Sequence, residues 1–323
     1  MEYRRLGRAG LKLSVLSYGT WVTFSDQMDS AAARECLEVA RQAGVNFFDS
    51  AEVYGNGRSE SVLGAAIEDL GWSRETYVLS TKLYWGIHDE VNLRRTLNRK
   101  YLLHAIDGCL TRLRTGFVDL LFCHRPDPDT TVEEIVWTMS DIIGAGKALY
   151  WGTSKWSASE VRAAWSIADR YGLRKPVVEQ PEYNLFTTRW VDEEYHALVS
   201  ELGIGLTTWS PLASGMLTGK YRDGVSSRSR AALAGHESFL GKLTDGDSAR
   251  QVDELSVVAA DLGCTTAQLA IAWCAANKTV STVITGASDP LQLRQNLDAV
   301  AVVPLLSEEV MARISRIFRH RQS

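Results

Sequence analysis

Four residues whose types suit proton delivery stand at or just beyond the ends of apolar runs. Asp49 closes NFFD (46–49), Tyr54 follows five positions later, Lys82 closes YVLSTK (77–82), and His124 follows VDLLFC (118–123). A phenol ordinarily titrates near pH ~10, too high to release its proton readily. A neighbouring ammonium favours the phenolate and would lower that value by roughly 1–3 units. Asp49 would keep Lys82 charged and oriented, and His124 would hydrogen-bond the oxygen of a carbonyl and fix its position. Such a set protonates an oxygen but reduces nothing. Reduction would need a hydride source bound across the same mouth, because side chains carry no hydride.

The stretch VNFFDSAEVYGNGRSE (45–60) also resembles a phosphate cradle, but Glu60 stands where the third glycine of GxGxxG belongs. Gly55 and Gly57 are therefore expected to turn the chain so that Tyr54 enters the mouth. Ser59 is expected to cap a helix with Glu60 in its first turn. Better anion candidates lie later. Residues 209–230 (WSPLASGMLTGKYRDGVSSRSR) combine glycines with Lys220, Arg222, Arg228 and Arg230, and residues 284–296 (ITGASDPLQLRQN) place Gly286 and Ser288 where a helix should begin. Backbone N–H groups and the positive dipole end favour an anion there. Trp209 could stack a planar ring, or simply pack. Trp21, Phe24, Tyr84 and Trp85 follow two of the apolar runs and could form a pocket over the acid. His88, His104, His196, His236 and His320 lack metal-ligand spacing, so no metal is assigned. GxSxG is absent, which leaves serine hydrolysis without support.

The elements that must position these groups repeat. Eight β-rich runs recur: 13–19, 46–49, 77–82, 118–123, 148–153, 176–180, 204–209 and 281–285. Amphipathic helical patterns such as SAAARECLEVARQAG, KYLLHAIDGCLTRLR and TVEEIVWTMSDIIGAG lie between many of them. Ser30 and Thr130 sit where N-caps belong, and Gly44 with Gly144 or Gly146 where helices should end. The spacing of about thirty residues is that of one βα unit. Short strands apolar on both faces suit a buried parallel sheet. The reading is an α/β (β/α)₈ barrel as one domain over 1–323, with the chemistry gathered where strands end. Residues 3–12 are expected to form a hairpin over the barrel bottom, turned at Arg8-Ala9-Gly10. A long segment at 211–249 follows the seventh strand, and a helix near 307–320 closes the chain. A doubly wound open sheet is the alternative, but it would want a dinucleotide fingerprint near the first strand.

Composition narrows the partners. The 323 residues are 45% hydrophobic and 23% charged, with a net charge of −4 and no basic block to attract nucleic acid or an anionic membrane. The opening MEYRRLGRAG lacks the apolar core of a signal peptide, and no apolar run approaches spanning length. Five scattered cysteines without CxxC spacing fit a reducing compartment. A cytoplasmic protein is expected.

GTWVTF, FFDSAEVYGNGRSE, STKLYWG, HRPDPDT, YWGTSKWS, VEQPEYN, TWSPLASGMLTGKY and LAIAWC with VITGAS occur in an order that resembles the aldo-keto reductases from about Tyr3 to Ser307. The branch resembled includes the plant, bacterial and animal potassium-channel β subunits. The resemblance implies a barrel that binds NADPH without a Rossmann motif and reduces aldehydes or ketones. Tyr54 would be the general acid, Lys82 and Asp49 the groups that set its pKa, and His124 the residue that orients the carbonyl. The cofactor would lie against Thr20, Trp21, Gln27, Ser154, Lys155, Gln180, Trp209, Ser210, Pro211, Leu212, Lys220, Arg230, Gly286, Ser288, Gln292, Gln295 and Asn296. Trp209 would stack on the nicotinamide, and Gln180 and Ser154 would bond its amide. Arg230, Ser288 and Gln292 would receive the 2′-phosphate. Departures are visible: animal channel subunits carry asparagine at the position of His124, Lys155 replaces a common arginine, and Gln295 a common acidic residue. A small carbonyl substrate and a homo-oligomer, tetramer or dimer, are implied. A cofactor-sensing channel subunit is the alternative, although no extension precedes Tyr3 to act on a pore. A Schiff-base lyase at Lys82 is a third reading, disfavoured by the expected pairing with Asp49.

Overall fold

All eight apolar runs become parallel strands, and they close on themselves. The computed structural model describes residues 1–21, 30–219 and 246–318. Strands β1 (Tyr3–Arg5) and β2 (Lys12–Ser14) form an antiparallel hairpin, while β3 (Leu16–Gly19), β4 (Phe47–Asp49), β5 (Val78–Leu83), β6 (Val118–Cys123), β7 (Ala148–Thr153), β8 (Val178–Glu179), β9 (Gly205–Thr208) and β10 (Val280–Thr285) form a closed barrel in chain order, β10 returning to β3. Closure excludes the open doubly wound sheet. The apolar run 13–19 divides between two sheets: Ser14 pairs with Tyr3 in the hairpin, and Leu16 pairs with Val283 in the barrel.

The outer layer is helical: α1 (Ser30–Gln42), α2 (Arg58–Asp69), α3 (Arg99–Leu113), α4 (Val132–Gly144), α5 (Ala158–Tyr171), α6 (Gly246–Asp261), α7 (Thr266–Ala276), α8 (Pro290–Leu297) and α9 (Glu308–Phe318). Between β8 and β9 the crossover is made by two π-helical segments, Trp190–Glu194 and Leu198–Leu202. Helix α6 begins inside the segment 211–249 that the sequence leaves without structure. No single helix among the described residues is long and apolar enough to cross a membrane.

Alternation along each strand divides the interior. On β6, Leu120 and Phe122 join Leu6, Leu13, Phe47, Val78, Val178 and Ile284 in a cluster that fills the lower barrel, while Leu121 and Cys123 face the helices. The hairpin supplies Leu6 and Leu13 to that plug, as a cover over the bottom should. On β5 the inward set runs Val78, Ser80, Lys82, from apolar floor to charged mouth.

Two local expectations fail. Thr131, not Thr130, caps α4, accepting from Glu134 N at 3.3 Å, because Thr130 spends its hydroxyl on Asp127 at 2.7 Å. Ser59 caps nothing. Gly57 opens α2 instead, and Ser59 Oγ is buried without a hydrogen-bond partner among the described residues. Glu60, in the first turn as expected, is fully buried and accepts from Arg112 Nε at 2.7 Å and from Thr81 Oγ1 at 2.5 Å. That link ties α3 through α2 to the outward face of β5, one residue before Lys82. Removing one member of a buried pair strands the other charge, at a cost of about 3–5 kcal/mol. Arg112→Met should therefore destabilise by that order in chemical denaturation, and adding Glu60→Gln should recover much of the loss.

Candidate active site

The barrel brings the four sequence-selected groups to one rim. Asp49 ends β4, Lys82 points inward from β5, and His124 follows β6 with its N–H on Leu83 O at 2.9 Å. Tyr54 stands on the loop after β4, where Gly55 (φ 55), Asn56 (φ 53) and Gly57 (φ 87) are successively left-handed. Such a run reverses the chain sharply before α2 and tolerates little besides Gly or Asn.

Lys82 is fully buried, and each of its three N–H groups has a partner: Asp49 Oδ2 at 2.5 Å, Ser50 O at 2.7 Å and Tyr54 Oη at 3.3 Å. Because Tyr54 Oη accepts from Lys82, its own O–H is left to donate elsewhere. Asp49 Oδ1 in turn accepts from Ser80 Oγ at 2.6 Å and Gln180 Nε2 at 3.1 Å, so three strands hold one carboxylate.

Burial opposes the Lys82 ammonium, but Asp49 and Tyr54 outweigh it and hold the group above its ordinary value. An amine kept protonated has no lone pair for Schiff-base chemistry. The expectation for Tyr54 needs correction. Burial raises the phenol and outweighs the opposing charge of Lys82, so its net shift is upward. Tyr54 rests protonated, and Lys82 stabilises whatever negative charge its oxygen acquires when the proton leaves. Burial, then Lys82 and Arg125, push His124 well below its usual range, so the imidazole is neutral. His124 Nδ1 is buried and lacks a hydrogen-bond partner among the described residues. The Tyr54 and His124 rings meet edge to face at 5.9 Å.

Aromatic groups wall the mouth. Trp21 lies 6.4 Å from both Tyr54 and Trp209, and Trp85 lies 6.5 Å from His124 and 5.0 Å from Tyr84. Phe24, Gln27, Lys220 and Arg230 lie outside the described residues. Across β7 to β9 the expected cofactor side is knitted together. Ser154 Oγ and Trp209 Nε1 both donate to Gln180 O, at 2.9 and 3.3 Å, and Asn184 Nδ2 donates to Ser210 O at 3.1 Å. Lys155 Nζ sits 4.7 Å over the Trp209 ring and 3.6 Å from Glu182. Thr20 Oγ1 donates to Ser50 Oγ at 3.0 Å. Pro211 is buried and Leu212 half-buried beside them.

Gly286, Ser288, Gln292 and Asn296 also converge, at the start of α8. Ser288 N donates to Gln292 Oε1 at 3.1 Å, Asn296 Nδ2 to Gly286 O at 3.3 Å, and Asp289 caps the helix by accepting from Gln292 N at 2.8 Å. Gln295 is exposed there. Sequence reasoning passed over Ser50, Ser80, Arg125, Glu182 and Asn184. Ser80 was within reach, since residues two apart on a strand share a face with Lys82.

A closed βα barrel with a buried Asp-Lys-Tyr-His rim defines a class of barrel oxidoreductases. The model of the "Aldo/keto reductase family" matches residues 15–319, and the chain belongs to that family. Membership makes it an oxidoreductase, of a family that typically uses a nicotinamide cofactor. Among curated proteins it is 49% identical over 322 residues to a "Probable voltage-gated potassium channel subunit beta" of Oryza sativa subsp. japonica, covering 99% of this chain and 98% of the relative. A protein of Arabidopsis thaliana with the same name is 48% identical over the same shares.

The His124 shift has a consequence for stability. Below an ordinary value of 6.5 the unfolded imidazole binds a proton that the folded one refuses, so stability rises with pH there and is lost as pH falls. His124→Asn should lose less stability than the parent as pH drops from neutrality through that value, read from denaturant midpoints.

Proposed function

We propose that residues 1–323, acting as one barrel domain, catalyse the NADPH-dependent reduction of aldehydes and ketones to alcohols. The observation that carries this reading is the buried Lys82 Nζ, 2.5 Å from Asp49 and 3.3 Å from the Tyr54 hydroxyl at the barrel mouth. Bound NADPH would supply the hydride, from nicotinamide C4 to the carbonyl carbon. Tyr54 gives its proton to the carbonyl oxygen, and Lys82 stabilises the phenolate left behind. Asp49 keeps Lys82 charged and aimed. A neutral His124 donates a second hydrogen bond to the same oxygen and fixes its direction. Trp21, Tyr84 and Trp85 receive the apolar part of a small carbonyl substrate.

The residues present fit such a cofactor. Trp209 offers a half-buried ring for the nicotinamide, beside Ser154 and Gln180. Gln180 gives its Nε2 to Asp49, which leaves its Oε1 to accept from a carboxamide. Lys155, Ser210, Pro211 and Leu212 would border the ring, with Thr20 opposite. Gly286, Ser288, Gln292, Gln295 and Asn296, with Lys220 and Arg230, would take the adenosine 2′-phosphate end. The Asp289 carboxylate at the start of α8 works against an anion, which makes those basic residues necessary to the NADPH preference. Free cysteines support a reducing cytoplasm, and the family resemblance supports a homo-oligomer.

Tyr54→Phe should keep NADPH binding by fluorescence titration and lose turnover of 4-nitrobenzaldehyde by ~10²–10⁴-fold, followed as NADPH absorbance. Undiminished turnover would overturn the assignment. A second reading, a cofactor-sensing subunit docked on a membrane channel, draws on the names of the plant relatives. Co-purification with a potassium channel, with no turnover across a panel of aldehydes and ketones, would favour it over the enzyme.

A further inference from the structure

One buried carboxylate has no part in the proton chemistry. Glu52 is 2% exposed and stands between Asp49 and Tyr54 on the loop after β4, its own N–H donating to Lys82 O at 3.3 Å. Its Oε1 accepts from the N–H groups of Tyr84 at 3.0 Å and Gly86 at 3.1 Å, the residues on either side of Trp85. Tyr101 of α3 completes the clamp: its hydroxyl donates to the same oxygen and accepts from Tyr84 N at 3.1 Å. Burial raises the Glu52 carboxyl, and these three donors counter it in part.

Beyond Gly86, a cavity of about 40 Å³ separates Ile87, His88 and Leu93 from Tyr101 and Ala105, and Glu52 also lines it. Val91 at the tip is 85% exposed. Gly86 is left-handed (φ 69), and a Cβ there would lie 2.1 Å from Leu93 O. On the far side the segment is tied by Thr96 N to Tyr84 O at 3.0 Å, and by Asp127 to Leu97 N at 2.7 Å. The Trp85 ring also meets Tyr84 at 5.0 Å and lies 5.8 Å from the Arg125 guanidinium, while these hydrogen bonds fix the backbone that carries it toward His124.

We propose that Glu52 is a positioning residue for substrate selection: by gripping both amides that flank Trp85, it locks that indole against His124 and fixes the space for the substituent on the substrate carbonyl. This rests on the reading of Tyr54 as the acid. The carboxylate thereby joins the acid loop to the pocket loop.

The test compares Glu52→Leu and Glu52→Asp, which retracts the carboxylate by one methylene, with Glu52→Gln, which keeps an acceptor at Oε1. With NADPH bound, Glu52→Leu should raise KM for 4-nitrobenzaldehyde ~10-fold and leave kcat for propanal and the NADPH Kd within ~2-fold. Glu52→Asp should show the same split more weakly, and Glu52→Gln should restore the parent values. Trp85→Ala should itself raise the aromatic KM, and combining it with Glu52→Leu should add little, as coupled residues do. Hydrogen exchange without substrate should quicken ~10-fold or more in 84–97 but not in α4. If Glu52→Leu does not fold, Glu52→Asp decides. Equal losses for both aldehydes, additive effects with Trp85→Ala, or unchanged exchange at 84–97 would each overturn the proposal. Tyr54→Phe run alongside separates the two readings: retained turnover there sinks the acid assignment, while the exchange result still judges the clamp.

Discussion

The rim is organised by one buried ion pair. Lys82 spends all three donors on Asp49, Ser50 and Tyr54, and Asp49 spends both oxygens on Lys82, Ser80 and Gln180. Taking two charges out of water costs several kcal/mol per ion unless every lone pair and proton finds a partner. Here all three ammonium protons and three of the carboxylate's lone pairs do, which is why β4, β5 and β8 must end at the same height. The pair keeps the ammonium charged against burial, while burial keeps the phenol protonated against the pull of that ammonium.

That demand explains the gradient along the strands. An interior apolar throughout would leave the pair unsatisfied, and one polar throughout would not fold. The lower barrel is therefore filled largely by Leu6, Leu13, Phe47, Leu120 and Phe122, and the buried Lys82–Asp49 pair stands at the upper end. Strand β5 carries the whole transition within Val78, Ser80 and Lys82. The Glu60–Arg112 pair repeats the same solution on the outer face of that strand.

Much of this was legible in the residues. Eight apolar runs at βα spacing gave the barrel, because the period of a strand and the length of a crossover are local quantities. Asp49, Tyr54, Lys82 and His124 were legible because a strand end is where a barrel turns polar. What escaped was set by distance in space. Nothing local tells that Gln180 reaches Asp49, or that Glu60 leaves the surface to meet Arg112. The sign of the Tyr54 shift escaped for the same reason: a lysine beside it is readable, the depth of its burial is not. Thr130 and Thr131 differ by one position, and only the side chain of Asp127 decides between them.

The complete enclosure of Lys82 also bears on durability. Aldehydes condense with free amines, and an enzyme that gathers them at a mouth invites its own slow inactivation. A lysine with no exposed surface, its nitrogen fully donated and held cationic, offers no nucleophile to such visitors. On the proposed chemistry, the arrangement that strengthens the acid also shields the catalyst from the electrophiles it handles.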